Sequence, residues 1–132
     1  MSEKKTILIL DDEPHVVTYL STLLEDNGYA TESASNGIEG MEKIRANKPD
    51  LITLDITMPE QSGIRFYRDL RDNPGWTSIP VVVVTAVTGY GGDPEPFEQF
   101  LRTRKQIPPP EGFLSKPIDQ QEFLDLVEKL LS

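Results

Sequence analysis
The stretch Ile7-Leu8-Ile9-Leu10-Asp11-Asp12-Glu13-Pro14 decides the fold. Four aliphatic residues in a row are too few for a globular helix and leave no polar face. They read as a strand covered on both sides, as in a parallel sheet. Three carboxylates follow at once, and then Pro14, whose fixed φ suits the first turn of a helix. A strand, an acidic turn and a helix start in close succession describe the opening of a β-α unit with charge at the carboxyl end of its strand.

Two further apolar runs repeat the pattern, Leu51-Ile52-Thr53-Leu54 and Val81-Val82-Val83-Val84. Ala30 to Ala34 alternates apolar and polar residues and reads as a weaker edge strand. Phe113-Leu114 is a short fifth strand. Helical periods lie between them. Val16, Val17, Leu20, Leu23 and Leu24 define the first helix, stopped by Asn27-Gly28. Ile38, Met41 and Ile44 mark a second, closed before Pro49. Ser62 can cap a third, with Ile64, Tyr67 and Leu70 inward and Asn73-Pro74-Gly75 at its end. Phe123, Leu124, Val127, Leu130 and Leu131 form the last. Alternating strands and helices imply a parallel sheet with right-handed crossovers. The expected fold class is α/β, flavodoxin-like and doubly wound, with five parallel strands in the order 2-1-3-4-5.

Residues 87–112 break the rhythm. They hold Gly89, Gly91-Gly92, Pro94, Pro96 and Pro108-Pro109-Pro110. Phe97, Phe100 and Leu101 fall at helical spacing within them, followed by Arg102, Arg104 and Lys105. The triple proline predicts extended, polyproline-like backbone that acts as a stiff spacer.

Composition narrows the function. The 132 residues fit a single domain, 37% hydrophobic and 27% charged, a globular balance. The absence of cysteine excludes a disulfide scaffold, a thiolate zinc site and a cysteine nucleophile. No apolar run approaches the ~20 residues of a membrane span. Thirteen basic and 22 acidic residues give a net charge of −9, which argues against direct DNA binding. The N-terminal Met1–Lys5 leads into an apolar run too short for a signal-peptide core, so a cytoplasmic protein is expected.

In an open α/β sheet, ligands bind beyond the carboxyl ends of the strands, where the strand order switches. Strand 1 ends in Asp11-Asp12-Glu13, strand 3 in Asp55, strand 4 in Thr85-Ala86 and strand 5 in Ser115-Lys116-Pro117. Two bare carboxylates ~4 Å apart repel by about 4 kcal/mol at an effective dielectric of about 20. A divalent cation together with Lys116 would offset Asp11, Asp12 and Asp55. An all-oxygen ligand set suits Mg²⁺. A carboxylate beside such charges can act as a nucleophile toward phosphorus. Asp55, single and central, is the candidate; Asp11 and Asp12 suit the metal, and Thr85 adds a hydroxyl donor. His15, the one histidine, is expected to be exposed, and Trp76 to pack locally over a loop.

These segments, in this order, resemble the receiver domain of bacterial response regulators. The matching pieces are Ile7 to Pro14, Asp50 to Pro59, Gly63, Ile79 to Ala86 and Phe113 to Pro117. The resemblance implies one receiver domain over residues 1–132. It implies that Asp55 accepts a phosphoryl group from the phosphohistidine of a histidine kinase or phosphotransfer protein. Asp12, Asp55 and the backbone carbonyl of Thr57 would ligate Mg²⁺, with Asp11 acting mostly through water. Lys116 would contact the phosphoryl group. Thr85 would be the conformational switch, and Phe113 takes the switch-aromatic position without the hydroxyl that Tyr would bring.

The interval between Thr85 and Lys116 is longer than the family pattern, and Pro108-Pro109-Pro110-Glu111-Gly112 replaces the usual turn before strand 5. The family's fourth helix falls in this interval, and receivers can pair as homodimers through its face, so output partner and oligomeric state stay open. Ser132 follows the last helix directly, so the expectation is a stand-alone switch acting on an output protein, or one domain of a longer protein. Two other readings compete. A phosphorylation-independent interaction module is opposed by the complete set of Asp11, Asp12, Asp55, Thr85 and Lys116. A Mg²⁺-dependent phosphohydrolase is opposed by Thr57, which stands where a second carboxylate would serve as general acid.

Overall fold
The computed structural model describes residues 4–55, 62–86, 111–116 and 118–132, with side chains described at 4–55, 65–84, 111–114 and 118–132. The strands are β1 (Thr6–Leu10), β2 (Ala30–Ala34), β3 (Leu51–Asp55), β4 (Val81–Ala86) and β5 (Gly112–Lys116). The helices among these residues are α1 (Pro14–Asp26), α2 (Gly37–Ala46), α3 (Ser62–Asp72) and α4 (Gln120–Leu131). All five strands are parallel, in the order β2-β1-β3-β4-β5, as the sequence predicts. Thr57, Pro117 and the interval 87–110 lie outside the described residues, and with them the expected helical stretch at Phe97–Leu101 and the triple proline.

Side-chain alternation along the strands builds two cores. Leu8, Leu10, Ile52, Leu54, Val81 and Val83 point to one face and pack with Ile44 of α2 and Phe66, Tyr67 and Leu70 of α3. Ile7, Ile9, Leu51 and Val82 point to the other and pack with Leu20, Leu23 and Leu24 of α1 and Phe123 and Val127 of α4. Successive strand residues face opposite sides, so a continuous apolar run satisfies both layers at once.

The helix ends follow their residue chemistry. Pro14 opens α1 and Gly28, at φ +91, lets the chain turn away after it. The Asn36 side chain caps α2 by accepting from the Glu39 amide, and the Glu39 carboxylate accepts from the amide of Ser35, one residue before the cap. Asp119 caps α4 by accepting from the Glu122 amide. Ser62, expected as a cap, is the first residue of α3. Asn73 then accepts from the Gly75 amide and turns the chain after it.

The second helix lies where Ile38, Met41 and Ile44 mark it. Ile38 marks the period of α2 but is 79% exposed, whereas Ile44 is buried and Met41 half-buried. At about 100° per residue, steps of three drift by roughly 60° each, which carries Ile38 roughly 120° away from Ile44 around the helix. Trp76 does not merely cover its loop: it packs against the core of the α2–α3 side.

Arg71, at the end of α3, ties three segments together. Its guanidinium donates through Nη1 to the carbonyls of Thr77 and Ile79 at 2.9 and 2.8 Å, and through Nε to the Tyr67 hydroxyl at 3.1 Å. It also stacks 4.9 Å from the Tyr67 ring centre. Nη2 pairs with Glu111 Oε1, and the same oxygen accepts from the Val81 amide at 2.7 Å. The Glu111 amide donates to the Val81 carbonyl. Glu111 thus fixes where β5 begins beside β4.

Candidate functional site: an acidic edge at the carboxyl ends of the strands
The switch in strand order lies between β1 and β3, which leave the sheet side by side in register, Leu10 opposite Leu54. Asp11 directly follows β1, and Asp55 ends β3. The backbone amide of Asp11 donates to the Ala34 carbonyl, extending the pairing to β2 by one residue. Asp11 Oδ1 accepts from the Glu13 amide at 2.9 Å, which turns the chain into α1. That turn presents Asp12 at the edge.

One carboxylate oxygen from each of Asp11, Asp12 and Asp55 comes within 4.8 Å of the others. Asp11 and Asp55 are buried, at 4% and 1% exposure, while Asp12 is exposed. The trio is therefore a buried anionic floor with one open side. Converging carboxylates in a low-dielectric setting repel, and an all-oxygen set of this kind matches a hard divalent cation such as Mg²⁺. The donor set fits such an ion in kind and in spacing.

Thr85 is the fifth residue of β4, one beyond Val84, which pairs with Asp55. Lys116 is the last of β5, opposite Ala86. Their backbones reach the same carboxyl-terminal edge, and their side chains lie outside the described residues, as does all of Thr57. Phe113 is 37% exposed, beside Val83 in the register, so it is not part of the packed core. His15 is exposed, as expected.

Sequence reasoning missed the Arg71–Tyr67–Glu111 cluster. Tyr67 was readable only as an inward apolar position. Its hydroxyl is held above the usual tyrosine range by burial, the largest influence, against which the Arg71 hydrogen bond and charge pull downward. An arginine four residues after an inward tyrosine is the one local signal for this pair. Nothing local points on to Glu111.

A five-stranded 2-1-3-4-5 sheet with an acidic trio at its switch point defines a class, and the chain belongs to it. Residues 7–128 match the family described as response regulator receiver domain, the signalling domain of two-component systems. Among curated relatives, Protein Rrf1 of Nitratidesulfovibrio vulgaris is 30% identical over 126 residues, covering 96% of this chain and 82% of that protein. The polar-differentiation response regulator DivK of Brucella anthropi is 32% identical over 127 residues, covering 96% of each. Among solved structures, the signal receiver domain of a signal transduction histidine kinase from Syntrophus aciditrophicus has a TM-score of 0.78 at 31% identity, covering 96% of this chain and 89% of that one. No helix among the described residues is long and apolar enough to cross a membrane.

Proposed function
We propose that the chain is a phosphoacceptor switch in a cytoplasmic phosphorelay, with Asp55 as the residue that takes the phosphoryl group. The observation that carries this is the gathering of Asp11, Asp12 and Asp55 within 4.8 Å at the switch point of a receiver-family sheet. Asp11, Asp12, Asp55 and the Thr57 carbonyl would hold Mg²⁺. When bound, a divalent cation neutralises charge on the phosphoryl oxygens.

A carboxylate oxygen of Asp55 attacks phosphorus on the phosphohistidine of a kinase or phosphotransfer protein. The P–N bond breaks, its electron pair stays on the ring nitrogen, and an acyl phosphate forms. Burial of Asp55 keeps bulk water from the acceptor, and the exposed side near Asp12 admits the donor. Lys116 and Thr85 donate to the transferred oxygens, which favours a Thr85 position closer to Asp55. Thr85 and Phe113, joined through neighbouring strands, pass the change to the 87–112 interval. There an output protein, or a second copy of the chain, would sense it. The net charge of −9 supports a protein partner rather than DNA.

The test is incubation with acetyl phosphate and Mg²⁺, followed by intact mass. A labile gain of about 80 Da, one phosphoryl group, is expected in the wild type and not in Asp55→Asn. A stable protein that gains no mass would favour a phosphorylation-independent interaction module. Continuous release of phosphate from simple esters would favour a phosphohydrolase.

A further inference from the structure
The space between α2 and α3 forms a cleft of about 580 Å³ that also reaches Asp12. This falls in the range of small-molecule sites, about 300–1,000 Å³. The helices meet closely beneath it, since a Cβ on Gly40 would lie 2.9 Å from the Phe66 ring. Met41 and Phe66 supply apolar lining, and Ile38 adds an aliphatic side chain that is 79% exposed. An isoleucine so exposed beside an apolar cleft leaves burial unused that a ligand can take up.

The charged lining is specific. Arg45 and Arg65 both line the cleft, both are exposed, and neither is in an ion pair among the described residues. Of the two lining carboxylates, Asp69 lies 3.7 Å from Arg68, which offsets its charge. The other, Asp12, belongs to the acidic trio. The first residues of α2 border the same space, but the Asn36 side chain and the Glu39 carboxylate already accept from the Glu39 and Ser35 amides there, so the two arginines, rather than the helix end, supply the positive charge.

We propose that this cleft binds a small amphipathic anion. Its apolar or aromatic body rests against Met41, Phe66 and Ile38, and its carboxylate, sulfonate or phosphate group pairs with Arg45 and Arg65. A planar guanidinium suits an oxyanion of this kind. The overall negative charge does not forbid it, because at physiological salt charges beyond about 8 Å are largely screened. Asp12 also links the cleft to the acidic edge. A cation held there offsets the remaining lining carboxylate, so Mg²⁺ strengthens anion binding, and the anion strengthens Mg²⁺ binding by the same factor. This link, unlike the cleft itself, rests on the Mg²⁺ reading above.

The test titrates the full chain with 8-anilinonaphthalene-1-sulfonate by fluorescence and with 2-naphthoate by amide chemical shifts, first without Mg²⁺. Saturable one-to-one binding is expected, with shifts centred on 36–45 and 65–69. Arg45→Gln with Arg65→Gln is expected to weaken it about tenfold or more with an unchanged unfolding midpoint. No saturation, shifts centred elsewhere, or full affinity in the double variant overturns the proposal. So does Ile38-dependent self-association with no probe bound, which would make the cleft a contact between copies. With Mg²⁺ added, tighter binding in the wild type but not in Asp12→Asn supports the link. Unchanged binding of the probes in Mg²⁺ that does raise the melting temperature overturns the link and leaves the cleft supported; no effect of Mg²⁺ on either counts against the Mg²⁺ reading alone.

Discussion

Arg71 Nη2 lies 2.9 Å from Glu111 Oε1, joining the end of α3 to the residue before β5 across 40 positions of sequence. The Arg71 side chain is 1% exposed and that of Glu111 36%. Removing the arginine strips partners from the Tyr67 hydroxyl, two carbonyls and the Glu111 carboxylate at once. Breaking a largely buried pair from one side costs about 3 kcal/mol. Arg71→Ala is expected to lose roughly that much in urea unfolding. Glu111→Gln keeps an oxygen for the Val81 amide and is expected to lose about 1 kcal/mol. Equal losses would mean that the charge of Glu111, rather than the arginine's hydrogen bonds, carries the joint.

Alkaline pH probes the same cluster. Burial raises the Tyr67 phenol above its unfolded value of 10.0. The folded chain therefore keeps this proton after the unfolded chain has released it. The stabilisation is whole below pH 10 and declines as pH rises through the higher folded value. Tyr67→Phe, though less stable at neutral pH, is expected to show a shallower loss above pH 10 in midpoint-against-pH curves. An unchanged slope would remove Tyr67 as the cause.

Much of this fold is legible locally, and the Arg71 joint shows where that stops. β2 matches its expected span and β1 differs from it by one residue, because an aliphatic run or an alternation bounded by turn residues fixes a strand. The order 2-1-3-4-5 and the convergence of Asp11, Asp12 and Asp55 follow from the β-α alternation. Glu111 reads in sequence only as part of a proline-rich turn, since its partner lies at the end of a different helix. The bond of Asp50, whose carboxylate accepts from the Thr6 amide at 2.8 Å, is unreadable because its partner opens β1, 44 residues away. Ile38 marks α2 correctly, but its exposure is not read from the spacing, because three-residue steps drift around a helix.

Gly40 tests the close approach of α2 to α3. Alanine would gain about 1 kcal/mol of helix propensity. Its Cβ would meet Phe66 at 2.9 Å and Leu10 at 3.2 Å, and overpacking a filled core costs about 1–3 kcal/mol. Gly40→Ala is expected to be destabilised by up to about 2 kcal/mol in thermal or urea unfolding. A stabilised variant would show that Phe66 yields freely.

Removal of one carboxylate tests the metal. Mg²⁺ is expected to raise the melting temperature of the wild type with saturation, since a ligand of the folded state alone stabilises it. Asp12→Asn removes one anionic oxygen donor from the trio and is expected to bind Mg²⁺ about tenfold more weakly or worse. Equal Mg²⁺ dependence in the two proteins would separate Asp12 from the metal.

The central claim is that Asp55 carries the phosphoryl group, and chemical trapping reads this residue by residue. Borohydride reduces an aspartyl phosphate to homoserine. After treatment with acetyl phosphate and Mg²⁺, then borohydride, peptide mass spectrometry is predicted to find homoserine at position 55, dependent on Mg²⁺. Homoserine at position 11 or 12 instead, or none in a protein that remains folded, would contradict the account.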